Sequence, residues 1–519
     1  MVPGGSQDGA MLPLPAGFCL VADPRTRSLA GGTVLVGGSP ARVLRLTPQG
    51  ASLVARWWTG TPVGSDPAHG HLARRLVSGG LAHPRPPGPT GASGATGLTG
   101  ATGAGGEQVS VVIPVKDRPG ELATVLGALE PVAEVLVVDD GSTAGALLAE
   151  AARRAGATYL RLDPSQGPAA ARNAGLAAAR SPLVAFVDSD CVPSPGWLAP
   201  LVAHFADPKL GAAAPRVTLL PPARPGALAR YEAARSPLDR GRREGLVRPR
   251  SPIPFVPTAA LVVRRAAAPQ GLFDEALVGG EDVDAVWRLA AAGWDVRYVP
   301  TVTVAHPARG PLRSWVARRA FYGATAGPLA RRHGAALAPA ATSRWTAAFW
   351  TLLLTGHPLW AAGVAGNASG LLARRLAPLV ENPVGLGVRL AAGGMLAAGP
   401  PLATGLARAW SPALAAALLA RRTRPLGALG LAVGLAAGTA SWVGARRSSG
   451  QPGWPPGVRP LDPVRHVALH LLDDLAYGTG VWASCARSRT WRPLVPDLVA
   501  GDLWGAPFRP SIGRLEDRR

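Results

Sequence analysis

A chain of 519 residues exceeds one ordinary core, and 47% apolar residues exclude a disordered chain despite 65 glycines and 53 prolines. Two to four folded domains are expected. The net charge of +22 is nearly all arginine, Lys116 and Lys209 being the only lysines; the arginines are dispersed with no aromatic and basic platform, so nucleic acid is not an expected partner.

From Leu14 to Pro84 the pattern predicts a small α+β, winged-helix-like module, residues 1–85. "GGTVLVGG" (31–38) alternates as a strand or hairpin, and "TPQGASLVARWW" and "GHLARRLVSGGL" are short amphipathic helices, the first capped by Thr47. A Gly/Pro/Thr-rich tether follows over 86–108, whose short glycine period is too brief for a triple helix. No basic segment followed by an apolar run opens the chain, so a secretory signal is not expected. Three cysteines, Cys19, Cys191 and Cys485, lack metal-type spacing and fit a reducing, cytoplasmic setting.

Over 109–335 strands alternate with helices. "VSVVIPV", "AEVLVVDD", "TYLRLD" and "PLVAFVDSD" read as four strands, separated by the helical patterns "GELATVLGALE", "AGALLAEAARRAG" and "GPAAARNAGLAAAR". This order predicts an α/β domain with a mostly parallel, Rossmann-like sheet, whose ligands sit beyond the C-terminal strand ends.

Residues 336–519 are expected to form an apolar helical region associated with a membrane. "RPLGALGLAVGLAAGTASWVGARR" is the best spanning segment, "RWTAAFWTLLLTGHPLWAAGVAG" is interrupted at His357 and Pro358, and "VRLAAGGMLAAGPPLATGLARAW" is the weakest.

Charged groups gather at the predicted strand ends. Asp139 and Asp140 close the second strand, where a carboxylate can accept from a pyrimidine imide or a sugar hydroxyl, or simply cap a turn. Arg172 and Asn173 share a helical turn; Arg172 could face a diphosphate, but taken alone a solvated surface arginine is the better reading. Asp188 and Asp190 flank one spacer, so in an extended segment both point to one side and could share Mg2+ or Mn2+ bridging a nucleotide sugar's phosphates. Glu281, Asp282 and Asp284 open a helix, where the dipole is expected to keep a carboxylate ionised as a general base. His306 ends an alternating strand and could complete a metal shell.

In their order, "VSVVIPVKDR", "VVDDGS", "GPAAARNAG", "FVDSD" and "GGEDVDAVWRL" resemble the inverting family 2 glycosyltransferases of GT-A fold. The resemblance implies a mixed GT-A sheet flanked by helices. It assigns Pro114, Asp117, Asp139, Asp140, Arg172, Asn173 and Asp188 to nucleotide and substrate binding. Asp188, Asp190 and His306 fall to a divalent metal, Asp282 to the base and Glu281 beside it. The "QxxRW" of processive synthases is absent, so a long extruded polymer is not implied. With the N-terminal stretch from Leu14, "FVPTAALVVRR" and "GLFDEALVGGEDVD", the layout resembles the glycosyltransferases of the mycofactocin system. That implies a UDP-glucose donor, a peptide-derived redox cofactor as acceptor, a short β-glucan product and an N-terminal peptide clamp. Two alternatives stay open: a membrane-associated family 2 enzyme of cell-envelope glycan synthesis, and a non-catalytic peptide-binding scaffold.

Overall fold

A computed structural model of the chain describes residues 12–87, 106–308 and 310–499. Most of the expected tether lies outside these. The N-terminal module comprises β1 (Cys19–Ala22), β2 (Arg27–Leu29), β3 (Val34–Gly37), β4 (Arg42–Arg45), α1 (Pro48–Trp58), α2 (Pro67–Ser78) and β5 (Ala82–Arg85). Strands β2, β3 and β4 form an antiparallel sheet, and β1 pairs with β5. Thr47 caps α1 as expected, its Oγ1 accepting from Gly50 N at 3.0 Å. The apolar faces of both helices close over Leu35, Trp57 and Leu76.

The central domain runs β6 (Val109–Val115), α3 (Pro119–Ala128), β7 (Glu134–Asp140), α4 (Gly145–Arg154), β8 (Thr158–Leu162), α5 (Pro168–Ala178) and β9 (Leu183–Val187). It continues through β10 (Val192–Pro193), α6 (Leu198–Ala203), β11 (Leu210–Leu220), α7 (Ala227–Arg235), β12 (Gly245–Leu246), β13 (Ala260–Arg264), α8 (Glu281–Ala291) and β14 (Asp295–Pro307). One sheet takes the order β10-β14-β11-β13-β9-β6-β7-β8, with β12 also on β14. The four expected strands are parallel, but β13 runs antiparallel between β9 and β11, so the sheet is mixed. Every residue of β9 is buried, as in a central strand covered on both faces. Because β9, β11 and β14 point the same way, Asp188, Asp190 and His306 reach one edge of the sheet.

The N-terminal module docks at the other edge. Arg74 of α2, fully buried, pairs with Asp207 at 2.6 Å and with Asp295 at 3.5 Å, both at strand starts. Arg85 adds a two-pronged pair with Glu244. None of the module's described residues lines the cavity described below.

The C-terminal region contains α9 (Leu312–Ala324), α10 (Ala326–His333), α11 (Arg344–Leu354), α12 (Pro358–Leu376), α13 (Pro383–Ala409), α14 (Ser411–Ala417), α15 (Arg424–Ser448) and α16 (Pro463–Ser488). Thr355, Gly356 and His357 separate α11 from α12, so the first apolar stretch is two helices and not one span. The stretch ranked weakest forms α13 and, with α15, is long and apolar enough to cross a membrane. Pro400 and Pro401 lie inside α13, where their ring nitrogens cannot donate and Thr404 Oγ1 donates to the Pro400 carbonyl at 2.9 Å. Helices α9 and α16 meet along a glycine seam: a Cβ at Gly323 would strike the Tyr477 carbonyl, and one at Gly480 the Ala320 carbonyl.

Candidate active site

A cavity of about 1140 Å3 opens at the C-terminal strand edge. Gly167, Arg172, Asp188, Glu281 and Asp282 lie along its wall. The helix of Arg172 is set by Asp140, which accepts from the backbone N–H groups of Gln166 at 2.6 Å and Gly167 at 3.0 Å at the start of α5. Arg172 is therefore not a solvated surface group. It is buried, donating to Asp188 Oδ1 at 2.7 Å and Glu281 Oε1 at 3.1 Å. Burial opposes its charge, but Asp188 and Glu281 outweigh that and hold its pKa above the ordinary value. Among the described residues, nothing accepts from its buried Nε.

Asp282 enters the cavity from the first turn of α8. Gly279 and Gly280, both with positive φ (88° and 78°), make the bend that launches this helix. Burial works against the ionised Asp282 expected from the helix dipole. Burial pushes its pKa up to about 7, with the Glu281 charge adding to the rise and the Val283 backbone N–H and Arg172 opposing it. A carboxylate so poised suits proton acceptance near neutrality. Asp284 does not share the cavity wall: it is buried between His333 at 2.8 Å and Arg288 at 2.7 Å, tying α8 to α10.

Asp188 and Asp190 do not sit on an extended segment. Strand β9 ends at Val187, and Cys191 N donates to the Asp188 carbonyl at 2.9 Å, closing a turn that breaks strand alternation. Asp188 consequently meets Arg172, while Asp190 meets Arg118 at 2.6 Å and lies 3.6 Å from His306 Nε2. Asp190, Cys191 and His306 each offer a ligand atom within 4.8 Å of one another. Asp188 is not in that group. His306 Nδ1 lies 2.8 Å from the Pro307 carbonyl, which can only accept, so Nδ1 carries a proton and Nε2 is the ring nitrogen turned toward Asp190. Carboxylate and imidazole suit Mn2+ and, less fully, Mg2+; the donor set fits a divalent cation. Cys191 and Arg118 were not anticipated. Their only sequence signals are adjacency to Asp190 and Asp117, since β14 must fold in before His306 defines the cluster.

The remaining assigned residues are mainly bound to their own fold. Pro114 is buried in β6 opposite Val138. Asp117, at φ 53°, accepts from Thr143 Oγ1 and N, each at 2.8 Å, and these bonds hold its pKa below the usual carboxylate value. Asp139 is wholly buried: burial raises its pKa, but bonds from Ser142 and Tyr159 and the Arg161 charge bring it below the ordinary value. It supports the β7 turn and offers a nucleoside no surface. Asn173 spends its amide on Phe273 and Glu275 and its oxygen on Leu272 and Phe273, so it pins the loop before α8 and not a nucleotide.

The sequence pattern of Glycosyl transferase family 2 matches residues 110–268. A pre-mycofactocin glycosyltransferase of Mycobacterium tuberculosis is 38% identical over 493 residues, covering 93% of this chain and 98% of that protein. The chain belongs to glycosyltransferase family 2. Within the family it is closely related to the mycobacterial pre-mycofactocin glycosyltransferases. Glycosyltransferase AglE of Haloferax volcanii is 30% identical over 213 residues, 39% of this chain and 67% of that one. A mannosyltransferase of Pyrobaculum calidifontis, solved with GDP-Man and Mn2+, is similar with a TM-score of 0.34 at 20% identity, covering 66% of this chain and 86% of that one. A score that low carries no functional weight. This family 2 enzyme thus keeps a mixed sheet, a candidate divalent-metal cluster and a half-buried carboxylate at one edge.

Proposed function

We propose that this enzyme transfers glucose from UDP-glucose to a hydroxyl of pre-mycofactocin, building a short β-glucan by successive inverting steps. The observation that carries the reaction type is Asp282 placed in one cavity with Arg172 and Asp188. The acceptor assignment is supported by likeness to the pre-mycofactocin enzymes over nearly the whole chain.

In a single displacement the acceptor oxygen bonds to the anomeric carbon as the bond from that carbon to the diphosphate oxygen breaks. Asp282, in its ionised form, takes the hydroxyl proton, and attack from the opposite face inverts the centre. Arg172 is fixed by two carboxylates and faces the departing negative charge without reorganising. Asp190 and His306, with Cys191 beside them, would hold a divalent cation, which when bound offsets charge on the diphosphate. The hydrogen bond from His306 to Pro307 keeps the imidazole oriented for that task.

The C-terminal helices support contact with a membrane surface by the same enzyme. Leu419 and Leu426 are 84% and 60% exposed, and Arg421, Arg422 and Arg424 lie between them, a pairing suited to an anionic bilayer.

The deciding experiment supplies purified enzyme with UDP-glucose, Mn2+ and pre-mycofactocin and follows UDP release and product mass. Successive hexose additions with β configuration, lost in Asp190→Ala, are expected. Transfer to an envelope glycan or lipid with none to pre-mycofactocin would overturn the acceptor.

A further inference from the structure

The N-terminal module meets the central domain over a small pocket of about 40 Å3. Asp23, Ser78 and His83 line it from the module and Glu244, Arg248 and Arg297 from the central domain; none of the six lines the larger cavity. A single water needs about 10–15 Å3 of such space, so the pocket has room for one small oxyanion or about three waters.

Two of its lining residues carry polar atoms without a partner. Arg297 is 3% exposed, and among the described residues neither its Nη1 nor Ser78 Oγ, both shielded from solvent, has a hydrogen-bond partner. Buried polar groups are almost always satisfied, so two orphans contributed from opposite sides of one pocket call for a shared ligand. The neighbouring carboxylates are already engaged. Asp23 takes Arg25 at 3.0 Å and His83 at 3.1 Å, Glu244 takes both prongs of Arg85, and Asp295 takes Arg248 at 3.1 Å and Arg74 at 3.5 Å.

Cations outnumber anions on the lining. Arg25, Arg243, Arg248 and Arg297 stand there against Asp23 and Glu244. Their field reaches the buried His204, where burial first, then the Arg297 and Arg85 charges, hold the pKa down at about 3. Burial also works against the Arg297 charge more than Asp295, Glu244 and Asp207 support it, so its pKa lies below the ordinary arginine value. Water would satisfy the two orphans without offsetting that charge. An oxyanion does both, its oxygens accepting from the guanidinium and from the hydroxyl.

We propose that this junction pocket binds one small oxyanion, a phosphate or carboxylate group, between Arg297 and Ser78, and that the ion fastens the N-terminal module to the central domain. Arg297 lies near the start of β14 and His306 near its end, so the same ion braces the strand that reaches the metal cluster.

Inorganic phosphate and sodium formate are titrated separately into the full-length protein by calorimetry, with UDP in excess to occupy the larger cavity. One-to-one binding is expected, weakened about ten-fold or more by Ser78→Ala and by Arg297→Met, the scale of a hydrogen bond to a charged group, with UDP affinity unchanged. Phosphate binding without formate binding assigns a phosphate ligand; formate binding as tight as that of phosphate assigns a carboxylate. In the wild type the bound anion should also slow amide exchange in β5 and β12, one strand from each side of the junction. No saturable binding of either anion, wild-type affinity in Ser78→Ala, or amide exchange unmoved by a saturating anion would overturn the proposal. Ser78→Ala carries the decision should Arg297→Met fail to fold.

Discussion

Arg172 and Glu281 are separated by 109 residues in the chain and by 3.1 Å in the cavity. This contact joins α5, the helix of the third motif, to α8, the helix carrying Asp282, and both of its partners act on the Asp282 carboxyl. Replacing Arg172 by Gln should lower kcat/KM by about 10²-fold or more, the scale for losing one fixed electrostatic partner. Because Arg172 opposes the rise in the Asp282 pKa, the same change should move the acid limb of the pH profile upward. Arg172→Lys should restore the limb better than the rate, since an ammonium cannot reproduce the planar fork between Asp188 and Glu281. A profile unmoved by Arg172→Gln would contradict the coupling.

Asp282 should govern both rate and stability. With its pKa at about 7, kcat/KM should climb through neutrality as the carboxylate ionises, and Asp282→Asn should cost about 10²–10⁴-fold in kcat. The stability sign follows from the direction of the shift. The folded value lies above the ordinary 3.8, so the stabilising contribution is complete below about pH 4 and is lost as pH rises through about 7. Thermal unfolding should therefore show Asp282→Asn more stable than wild type at pH 8, with the gap closing at pH 5. A pH-independent difference would contradict the burial argument.

Metal affinity should respond oppositely to two substitutions. His306→Ala removes a prospective ligand held by Pro307 and should weaken Mn2+ binding by about 10–100-fold. Arg118→Ala frees the Asp190 oxygen that Arg118 contacts at 2.6 Å and should tighten it. Calorimetric Mn2+ titration in the presence of UDP reads both. Tighter binding in the His306 variant would exclude the cluster as the metal site.

Arg74 has its consequence far from the cavity. Arg74→Met leaves Asp207 buried without its arginine, Asp295 keeping Arg248 at 3.1 Å, and should destabilise the protein by about 3–5 kcal/mol in urea unfolding. UDP affinity of the folded fraction should be retained, because none of the module's described residues lines the cavity.

Much of the central domain was legible because its strands are apolar runs ending in Asp, Gly or Ser, and its helices begin at recognisable breaks. Helix α8 announced itself by three acids and a double glycine. What escaped depended on contacts between distant segments. Arg172 looked like a surface cation until Asp188 and Glu281 converged on it, and Asn173 looked like a ligand contact until the loop at Leu272 to Glu275 consumed its amide. The spacing of Asp188 and Asp190 suggested shared alternation, but a turn at Asp188 to Cys191 separates their tasks. The burial that raises the Asp282 pKa is likewise a property of packed neighbours and not of helix position.

The seam between α9 and α16 bears on how variants of this enzyme are read. At Gly323 and Gly480 even one methyl group would collide with an opposing carbonyl, so a saturation scan should accept glycine alone at both. Loss of activity at these positions would match that of a reacting carboxylate while reporting nothing about chemistry. A functional map by random mutagenesis must therefore score abundance beside turnover, or it will place the reaction centre on a helix contact that never meets a sugar.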